Sequence, residues 1–385
     1  MDKNACANMK LHVNDSGKER NASLDLLRIL CMFLIVLAHA IGHGKVLNVA
    51  SVNSVNYFLI NVLKAFLSVL VNCFVLISGY FLCTREFRLK KALFIWGQAL
   101  FWSLGLYLVL CLGGVVQFDL KALLKACLPL TQQRYWFITT YLLMYLLVPL
   151  LNAAIRAMDQ KTHALFLSIF FAVYIALQNL FFWEKFTSVN AYHPLFFAFL
   201  YLLAAYFRLY PAKRARKTYL LCYSLNCLFA AAWRIGITWL TVKITGEAKG
   251  ENIFLSNNSI TMVIASACLF RFFEGLNISN KRIRKAVSIV APLTLGVYLI
   301  HDQPEVRSFI WQDLLCPMDF VQSPFLALIL FGMAIAVFVF CALAEYLRHR
   351  VSTAFKIKEA ISNAADAIQN AAVKAIEKVF QIKQL

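Results

Sequence analysis

The first apolar stretch of the chain carries ionisable side chains that a plain membrane anchor does not need. It runs from Ser23 to Gly44, SLDLLRILCMFLIVLAHAIGHG, and contains Asp25, Arg28 and His39. At 100° per residue, eleven steps bring His39 to the same helix face as Arg28, about 16 Å further along the axis, and Asp25 lies one turn before Arg28. Ionisable groups inside a span face a protein interior or a water-filled cavity, so this stripe predicts an internal site. The alternative is an ordinary span in which Arg28 reaches the membrane interface and His39 lies at the outer boundary of the membrane.

A histidine and an arginine in one internal site can carry out acid–base chemistry. Histidine titrates near neutrality and can take a proton from a hydroxyl group, while arginine can orient or stabilise a negatively charged group. Internal charges also mark the substrate and proton pathways of membrane transporters. The stretch therefore predicts either an enzyme that works within the membrane or a transporter.

The composition assigns the chain to the membrane proteins. Of its 385 residues, 61% are hydrophobic and only 15% are charged, and the mean hydropathy is +0.68. Soluble domains are about 45–50% apolar and about 25% charged, so we expect an all-α polytopic membrane protein. A chain of this length has room for a bundle of about ten transmembrane helices of ~20 residues, and no room for a second globular domain.

Apolar runs along the chain predict where these helices lie. The first span is the stretch described above, and the region Gln117–Gln133 has the pattern of an amphipathic segment between two spans. The other predicted spans are Tyr57–Cys83, Ala92–Val115, Arg134–Ile155, His163–Trp183, His193–Tyr210, Thr218–Val242, Ser259–Gly275, Ala286–His301 and Ser323–Leu347. An even number of spans puts both ends of the chain on one side of the membrane.

The distribution of basic residues predicts which side that is. With the N-terminus in the cytoplasm, 28 of the 38 lysine and arginine residues fall on the cytoplasmic side. Acidic residues divide more evenly, 11 against 8. The positive-inside rule therefore predicts a multi-pass protein of the cell membrane with both termini in the cytoplasm. Since the net charge of +19 largely follows from this topology, it requires no nucleic-acid partner.

The two ends of the chain are polar. Residues 1–22 form a predicted leader, which the positive-inside rule puts in the cytoplasm. They are not expected to be part of a cleavable signal peptide, because the ionisable Asp25 and Arg28 in the following apolar segment do not suit one. Residues 348–385 form a basic, alanine-rich cytoplasmic tail whose apolar residues recur every three or four positions, which predicts an amphipathic helix. The eleven cysteines form no CxxC pair and most lie in apolar runs, so we expect packing residues and no metal site.

Five motifs, taken in order along the chain, carry a resemblance to a known family. They are Arg28-x10-His39, FVLISGYFL at residues 74–82, Arg85-x-x-Arg88, YWFITTYLLMYLLVPLLN at residues 135–152 and LGVYLIH at residues 295–301. Together they resemble the acyltransferase-three family of integral-membrane O-acyltransferases, over about residues 20–347. The resemblance implies that residues 23–347 form a ten-span acyltransferase domain. Such a domain moves an acyl group, usually acetyl from acetyl-CoA, to a hydroxyl of a cell-surface or lipid-linked glycan.

The chemistry of acyl transfer suggests roles for the residues of these motifs. Transfer to an alcohol needs a base for the hydroxyl proton and donors for the negative charge on the acyl oxygen. We expect His39 to be the general base, or alternatively a transient acyl carrier, and Arg28 to be an orienting or electrostatic group paired with Asp25. Arg85 and Arg88 are candidates for binding the phosphates of CoA, because a guanidinium group donates two hydrogen bonds to phosphate. A plain topology signal explains these basic residues nearly as well.

Polar residues at the outer ends of two spans are candidates for binding the sugar acceptor. Arg134 and Trp136 combine a cation with an aromatic ring, and His301 with Asp302 could bind the acceptor or supply a second acid–base group. The alternatives are an interfacial aromatic belt and ordinary polar span ends.

Two further charges lie inside predicted spans, and we expect both of them, Arg234 and Arg271, to line the same cavity. The sequence thus predicts a membrane O-acyltransferase with acetyl-CoA as donor and no permanently bound cofactor. Its predicted partners are the lipid bilayer and a glycan or lipid-linked sugar acceptor. The alternative is a transporter or flippase of a glycan or lipid-linked precursor, which the lack of an internal repeat and of matching broken half-spans disfavours.

Overall fold

The computed structural model describes residues 21–180, 190–211 and 215–355, and scattered residues between 359 and 371. Most of the predicted leader and most of the predicted tail therefore lie outside the described residues. Within the described part, all regular elements are helices. The principal ones are α1 (Ala22–His43), α2 (Val46–Val49), α3 (Val55–Leu67), α4 (Leu70–Leu82), α5 (Leu89–Leu112), α6 (Leu120–Cys127), α7 (Trp136–Leu146), α8 (Val148–Ala157), α9 (Gln160–Phe170), α10 (Leu177–Leu180), α11 (Pro194–Leu209), α12 (Arg216–Thr245), α13 (Ile260–Glu274), α14 (Lys281–Val290), α15 (Thr294–His301), α16 (Pro304–Ser308) and α17 (Leu326–Ala354).

Seven helical stretches in the described ranges are long and apolar enough to cross a membrane. The pair α7 and α8 would form an eighth, bent by 51° where Pro149 in the first turn of α8 removes a backbone donor. The chain is therefore an all-α, multi-pass membrane protein, as its composition predicted. The count of ten stays a prediction, because α11 and α13 occupy two of the predicted spans but have only 16 and 15 residues.

The helix that carries the ionisable stripe lies inside the bundle. The Asn21 side chain begins α1 by accepting hydrogen bonds from the backbone N–H groups of Ser23 and Leu24, both at 3.2 Å. From there α1 packs against α4, α13, α14, α15 and α17. Its apolar face is buried, with Val36 and Leu37 fully excluded from solvent. The remaining face of α1 is thereby held towards the interior of the bundle.

A glycine allows α4 and α11 to approach closely. A Cβ atom on Gly79 would lie 2.8 Å from the Cα atom of Tyr201, closer than any side chain tolerates. The Tyr201 hydroxyl donates to Asn152 Oδ1 at 2.7 Å, and Asn152 Nδ2 donates to the carbonyl oxygen of Arg85 at 3.0 Å. This series of contacts fixes the turn between α4 and α5 against α8 and α11.

A buried carboxylate joins α5, α15 and α17. Glu345 on α17 is 2% exposed and accepts hydrogen bonds from Gln98 Nε2 at 3.1 Å and Trp102 Nε1 at 2.9 Å. Arg348 donates to both carboxylate oxygens, at 2.6 and 2.8 Å. Gly296 on α15 lies against this carboxylate so closely that a Cβ atom there would collide with it. The arrangement holds α15, and with it the histidine at its C-terminal end, in a fixed position relative to α17.

Candidate active site

A largely apolar cavity of about 170 Å³ lies between α1, α4, α5, α7 and α15. Arg28 lies towards one end of α1 and His39 towards the other, so the cavity follows the α1 axis for about 16 Å. Its lining residues are Arg28, Met32, Ile35, His39, Val71, Phe74, Ser78, Ile95, Trp136, Phe137, Ile138, Tyr141, Thr294, Leu295 and Tyr298. Arg28 and His39 of the α1 stripe therefore face this cavity, with aromatic rings on the opposite walls.

Arg28 is paired at its end of the cavity. Its Nη1 donates to Asp25 Oδ1 at 2.8 Å, one turn earlier on α1. Asp25 is buried, while the Arg28 side chain keeps 29% of its surface accessible. The carboxylate thus balances the charge of Arg28 without closing the cavity.

At the other end of the cavity, α15 brings two polar residues to His39. His301 Nε2 lies 3.0 Å from His39 Nδ1, and the Asp302 carboxylate lies 3.6 Å from the same nitrogen. Both partners are almost completely buried. The structure therefore brings three sequence-predicted residues together: His301 and Asp302, predicted to bind the acceptor or to supply a second acid–base group, lie beside His39.

The hydrogen bonds of His301 fix which nitrogen of His39 carries a proton. His301 Nδ1 lies 2.6 Å from the backbone carbonyl oxygen of Val297, and a carbonyl oxygen can only accept. With Nδ1 protonated, the Nε2 of a neutral His301 must accept, so His39 Nδ1 donates to it. A neutral His39 then has its free electron pair on Nε2, the form that can take a proton from a hydroxyl group.

The Asp302 carboxylate is shared by three cationic or potentially cationic groups. Besides His39, His43 Nε2 lies 3.7 Å from Asp302 Oδ1, and Arg307 Nη1 lies 3.3 Å from the same oxygen. The rings of His39 and His43 are 4.8 Å apart at their centroids. Negative charge at Asp302 would stabilise a His39 imidazolium, as carboxylates do beside catalytic histidines.

Arg85 and Arg88 lie in the exposed turn between α4 and α5. The Tyr145 hydroxyl holds this turn, because it accepts from the Arg88 backbone N–H at 3.3 Å and donates to the Arg88 carbonyl at 3.1 Å. The ring of Tyr145 stacks on that of Tyr141 at 6.4 Å between centroids, and Tyr141 stacks on Phe137 at 6.0 Å. A continuous row of rings therefore leads from the basic turn to the wall of the cavity.

Arg134 and Trp136 have different surroundings although they are two residues apart. Trp136 lines the cavity, and its ring packs edge-on against Tyr192 with 4.6 Å between centroids. The Arg134 guanidinium forms an ion pair with Glu305 on α16, and its side chain is only 6% exposed. Arg134 thus ties the start of α7 to the segment after α15 and does not line the cavity.

The expectation that Arg234 and Arg271 line the same cavity is wrong. Arg234 donates to Asn61 Oδ1 at 2.5 Å between α12 and α3, away from the cavity. Arg271 donates to Glu274 at 2.5 Å and to the carbonyl oxygen of Tyr210 at 3.2 Å. A charged side chain inside a membrane is unfavourable unless it has polar partners. Local partners hydrogen-bond both arginines, so neither side chain needs to face the cavity.

Sequence reasoning missed several residues of the site. His43 was given no role, although its spacing of four residues from His39 puts both on one face of α1. Tyr298 and Tyr141 were parts of motifs but were not singled out. Their spacing gives no signal of a site, because aromatic residues are common in apolar spans and only the packing of α7 and α15 directs these rings into the cavity.

Comparison with known proteins agrees with the resemblance found in the motifs. The family model described as an acyltransferase domain matches residues 21–345, which is most of the chain and includes every residue of the cavity. No match was found among curated proteins or among solved structures. The matched family catalyses O-acyl transfer within membranes, and this chain belongs to it: it is a member of the acyltransferase-three family of integral-membrane O-acyltransferases.

Proposed function

We propose that this acyltransferase moves an acetyl group from acetyl-CoA to a hydroxyl of a cell-surface or lipid-linked glycan. The observation that carries the proposal is the narrow cavity with a paired arginine at one end and a histidine with a free Nε2 at the other. A thin chain such as the pantetheine arm of CoA suits a cavity of this shape. The histidine supplies the base that transfer to an alcohol requires.

The donor would approach from the cytoplasmic side, where CoA is found. The distribution of basic residues favours a cytoplasmic location for Arg85 and Arg88, and both side chains are exposed. Their guanidinium groups suit the phosphates of CoA, with the pantetheine arm following the row of rings formed by Tyr145, Tyr141 and Phe137. Arg28 would orient the arm by donating a hydrogen bond to one of its amide carbonyl oxygens as it passes towards His39.

The transfer step follows from the arrangement around His39. Nε2 takes the proton of the acceptor hydroxyl while the hydroxyl oxygen attacks the thioester carbonyl. The C–S bond then breaks, CoA leaves as a thiolate, and the imidazolium returns the proton to it, so the products are an ester and the CoA thiol. Asp302 stabilises the transient imidazolium at 3.6 Å, and the buried Tyr298 hydroxyl is a candidate donor for the negative charge on the acyl oxygen.

This proposal gives His301 a different role from the one its position in the sequence suggested. It is a positioning residue, because it fixes the proton of His39 on Nδ1 and itself does not line the cavity. Trp136, which does line it, remains the candidate for contact with the acceptor. Arg134 is ion-paired with Glu305 and takes no part in the acyl-transfer step.

The test is transfer of labelled acetyl from acetyl-CoA in membranes that contain the wild-type protein or His39→Ala, with the surface glycan extracted and counted. A matched control is His163→Ala, because His163 is a fully buried histidine outside the cavity, 3.1 Å from the carbonyl oxygen of Leu202. We expect label on glycan for the wild type and the control, and none for His39→Ala at equal membrane insertion. Equal label for His39→Ala and the wild type would overturn the assignment of the base. No label with any of the three at equal membrane insertion would overturn acetyl-CoA as the donor or the glycan as the acceptor.

A further inference from the structure

We propose that Zn²⁺ binds at the His39 end of the cavity and stops acyl transfer by occupying the base. The ligands would come from a cluster of His39, His43 and Asp302, joined by the neighbouring His301. The inference has a binding half, that zinc occupies this site, and a regulatory half, that the bound zinc stops acyl transfer. The regulatory half rests on the proposed function, because it requires His39 to be the base. The binding half does not.

The spacing of the cluster suits zinc. Asp302 Oδ1 lies 3.6 Å from His39 Nδ1 and 3.7 Å from His43 Nε2, and all three ligand atoms lie within 4.8 Å of one another. Zinc bonds of about 2.0–2.2 Å in tetrahedral geometry put neighbouring ligand atoms about 3.4 Å apart. Small side-chain movements would therefore close the site. Imidazole nitrogens favour zinc over magnesium or calcium, which prefer oxygen ligands.

His301 stands beside this three-residue group and not within it, and a movement of its ring would make it the fourth ligand. Its Nε2 lies 3.0 Å from His39 Nδ1, and its Nδ1 donates to the Val297 carbonyl at 2.6 Å. Metal-binding histidines usually donate their second N–H to a carbonyl or carboxylate in this way, which orients the ring and leaves the other nitrogen free for the metal. The hydrogen bond from His301 to the Val297 carbonyl, which sets the tautomer of His39 in the metal-free protein, would thus also orient His301 as a zinc ligand.

Zinc would inhibit by reversing the tautomer of His39. In the metal-free arrangement Nδ1 carries the proton and Nε2 is free. A zinc ion on Nδ1 requires that nitrogen to be deprotonated, so the single proton of the neutral ring moves from Nδ1 to Nε2 by exchange with solvent. The nitrogen that would accept the hydroxyl proton is no longer available. Removal of the metal restores it.

Arg307 competes with the metal for the Asp302 carboxylate. Its Nη1 lies 3.3 Å from the Asp302 oxygen that the zinc would use, and its positive charge opposes a second cation there. The Arg307 side chain is 33% exposed and His43 is 35% exposed, so the guanidinium can turn outward and an ion can reach the cluster past these two side chains. Loss of Arg307 should therefore tighten zinc binding, whereas loss of a ligand should weaken it.

The first measurement is equilibrium binding of ⁶⁵Zn²⁺ to the purified full-length protein in detergent. We expect one zinc per chain, at least about 10-fold weaker binding in His43→Asn, about 10-fold tighter binding in Arg307→Gln, and no change in His163→Asn. The opposite directions for two neighbouring variants separate ligand loss from misfolding. No binding at micromolar zinc, or equal affinity in the wild type, His43→Asn and Arg307→Gln, would overturn the site.

The second measurement compares acyl transfer with and without zinc in the same membranes. We expect zinc to stop transfer by the wild type, a chelator to restore it, and the zinc concentration for half inhibition to rise at least about 10-fold in His43→Asn. Zinc that binds as described but leaves transfer unchanged would overturn the regulatory half alone. Because binding is measured without turnover, a failed proposed function would leave the binding result intact.

Discussion

Replacing His301 with leucine tests whether this buried side chain positions the base. The substitution removes the acceptor that lies 3.0 Å from His39 Nδ1 and keeps a similar side-chain volume. The His39 N–H then faces an apolar group, and the ring is free to take the other tautomer or to rotate. We therefore expect a slower chemical step and an unchanged affinity for acetyl-CoA, because His301 does not line the cavity.

The size of the effect follows from the lost hydrogen bond. A buried donor without a partner costs roughly 1–3 kcal/mol, which corresponds to about 5- to 150-fold in kcat if the whole cost falls on the productive tautomer. Asp302 lies 3.6 Å from the same nitrogen and can replace part of the interaction, so the loss should lie below the limit of about 10⁴-fold for a missing general base. His301→Gln offers an amide oxygen as acceptor and should recover most of the activity.

The assay is the rate of label transfer to extracted glycan over a range of acetyl-CoA concentrations, at matched amounts of membrane protein. His163→Leu is the control, since it removes an equally buried histidine that hydrogen-bonds a carbonyl oxygen outside the cavity. Unchanged kcat in His301→Leu would refute the positioning role. A raised KM with unchanged kcat would mean that His301 contributes to substrate binding. Equal losses of transfer activity in His301→Leu and His163→Leu would indicate only lost stability.

Three further substitutions test the packing and the donor end of the cavity. Gly79→Val should lower stability by about 1–3 kcal/mol, measured as thermal unfolding in detergent, because the new side chain meets the Tyr201 backbone; an unchanged transition would contradict the close approach. Glu345→Leu should cost roughly 3–5 kcal/mol in the same measurement, since it leaves the Arg348 charge without its buried partner, whereas unchanged stability would mean that the ion pair is dispensable. Arg28→Met should lower kcat/KM for acetyl-CoA by about 10- to 150-fold through a lost charge-assisted hydrogen bond, and wild-type kinetics would exclude donor contact.

Features that depend on neighbours along one helix could be predicted from the sequence. The stripe of Asp25, Arg28 and His39 follows from helical geometry alone, and the structure directs Arg28 and His39 into a cavity. Hydrophobic runs likewise predicted the helices, although a run cannot tell a full span from the 16 residues of α11. The role of His43 could not be predicted, because its contact with Asp302 joins residues far apart in the chain and depends on how α15 packs against α1.

The arginines of the chain illustrate why charge in a membrane predicts burial but not function. Arg134 and Arg271 are each paired with a glutamate and have side chains only 6% and 8% exposed, so little of either guanidinium surface remains accessible to a ligand. Arg28 is paired with a carboxylate as well, yet it keeps 29% of its side chain accessible and lines the cavity. All three satisfy the same rule that an intramembrane charge needs a partner. The difference between Arg28 and the two structural ion pairs is the part of the arginine side chain that stays accessible after pairing. Helix packing rather than local sequence determines how large that part is.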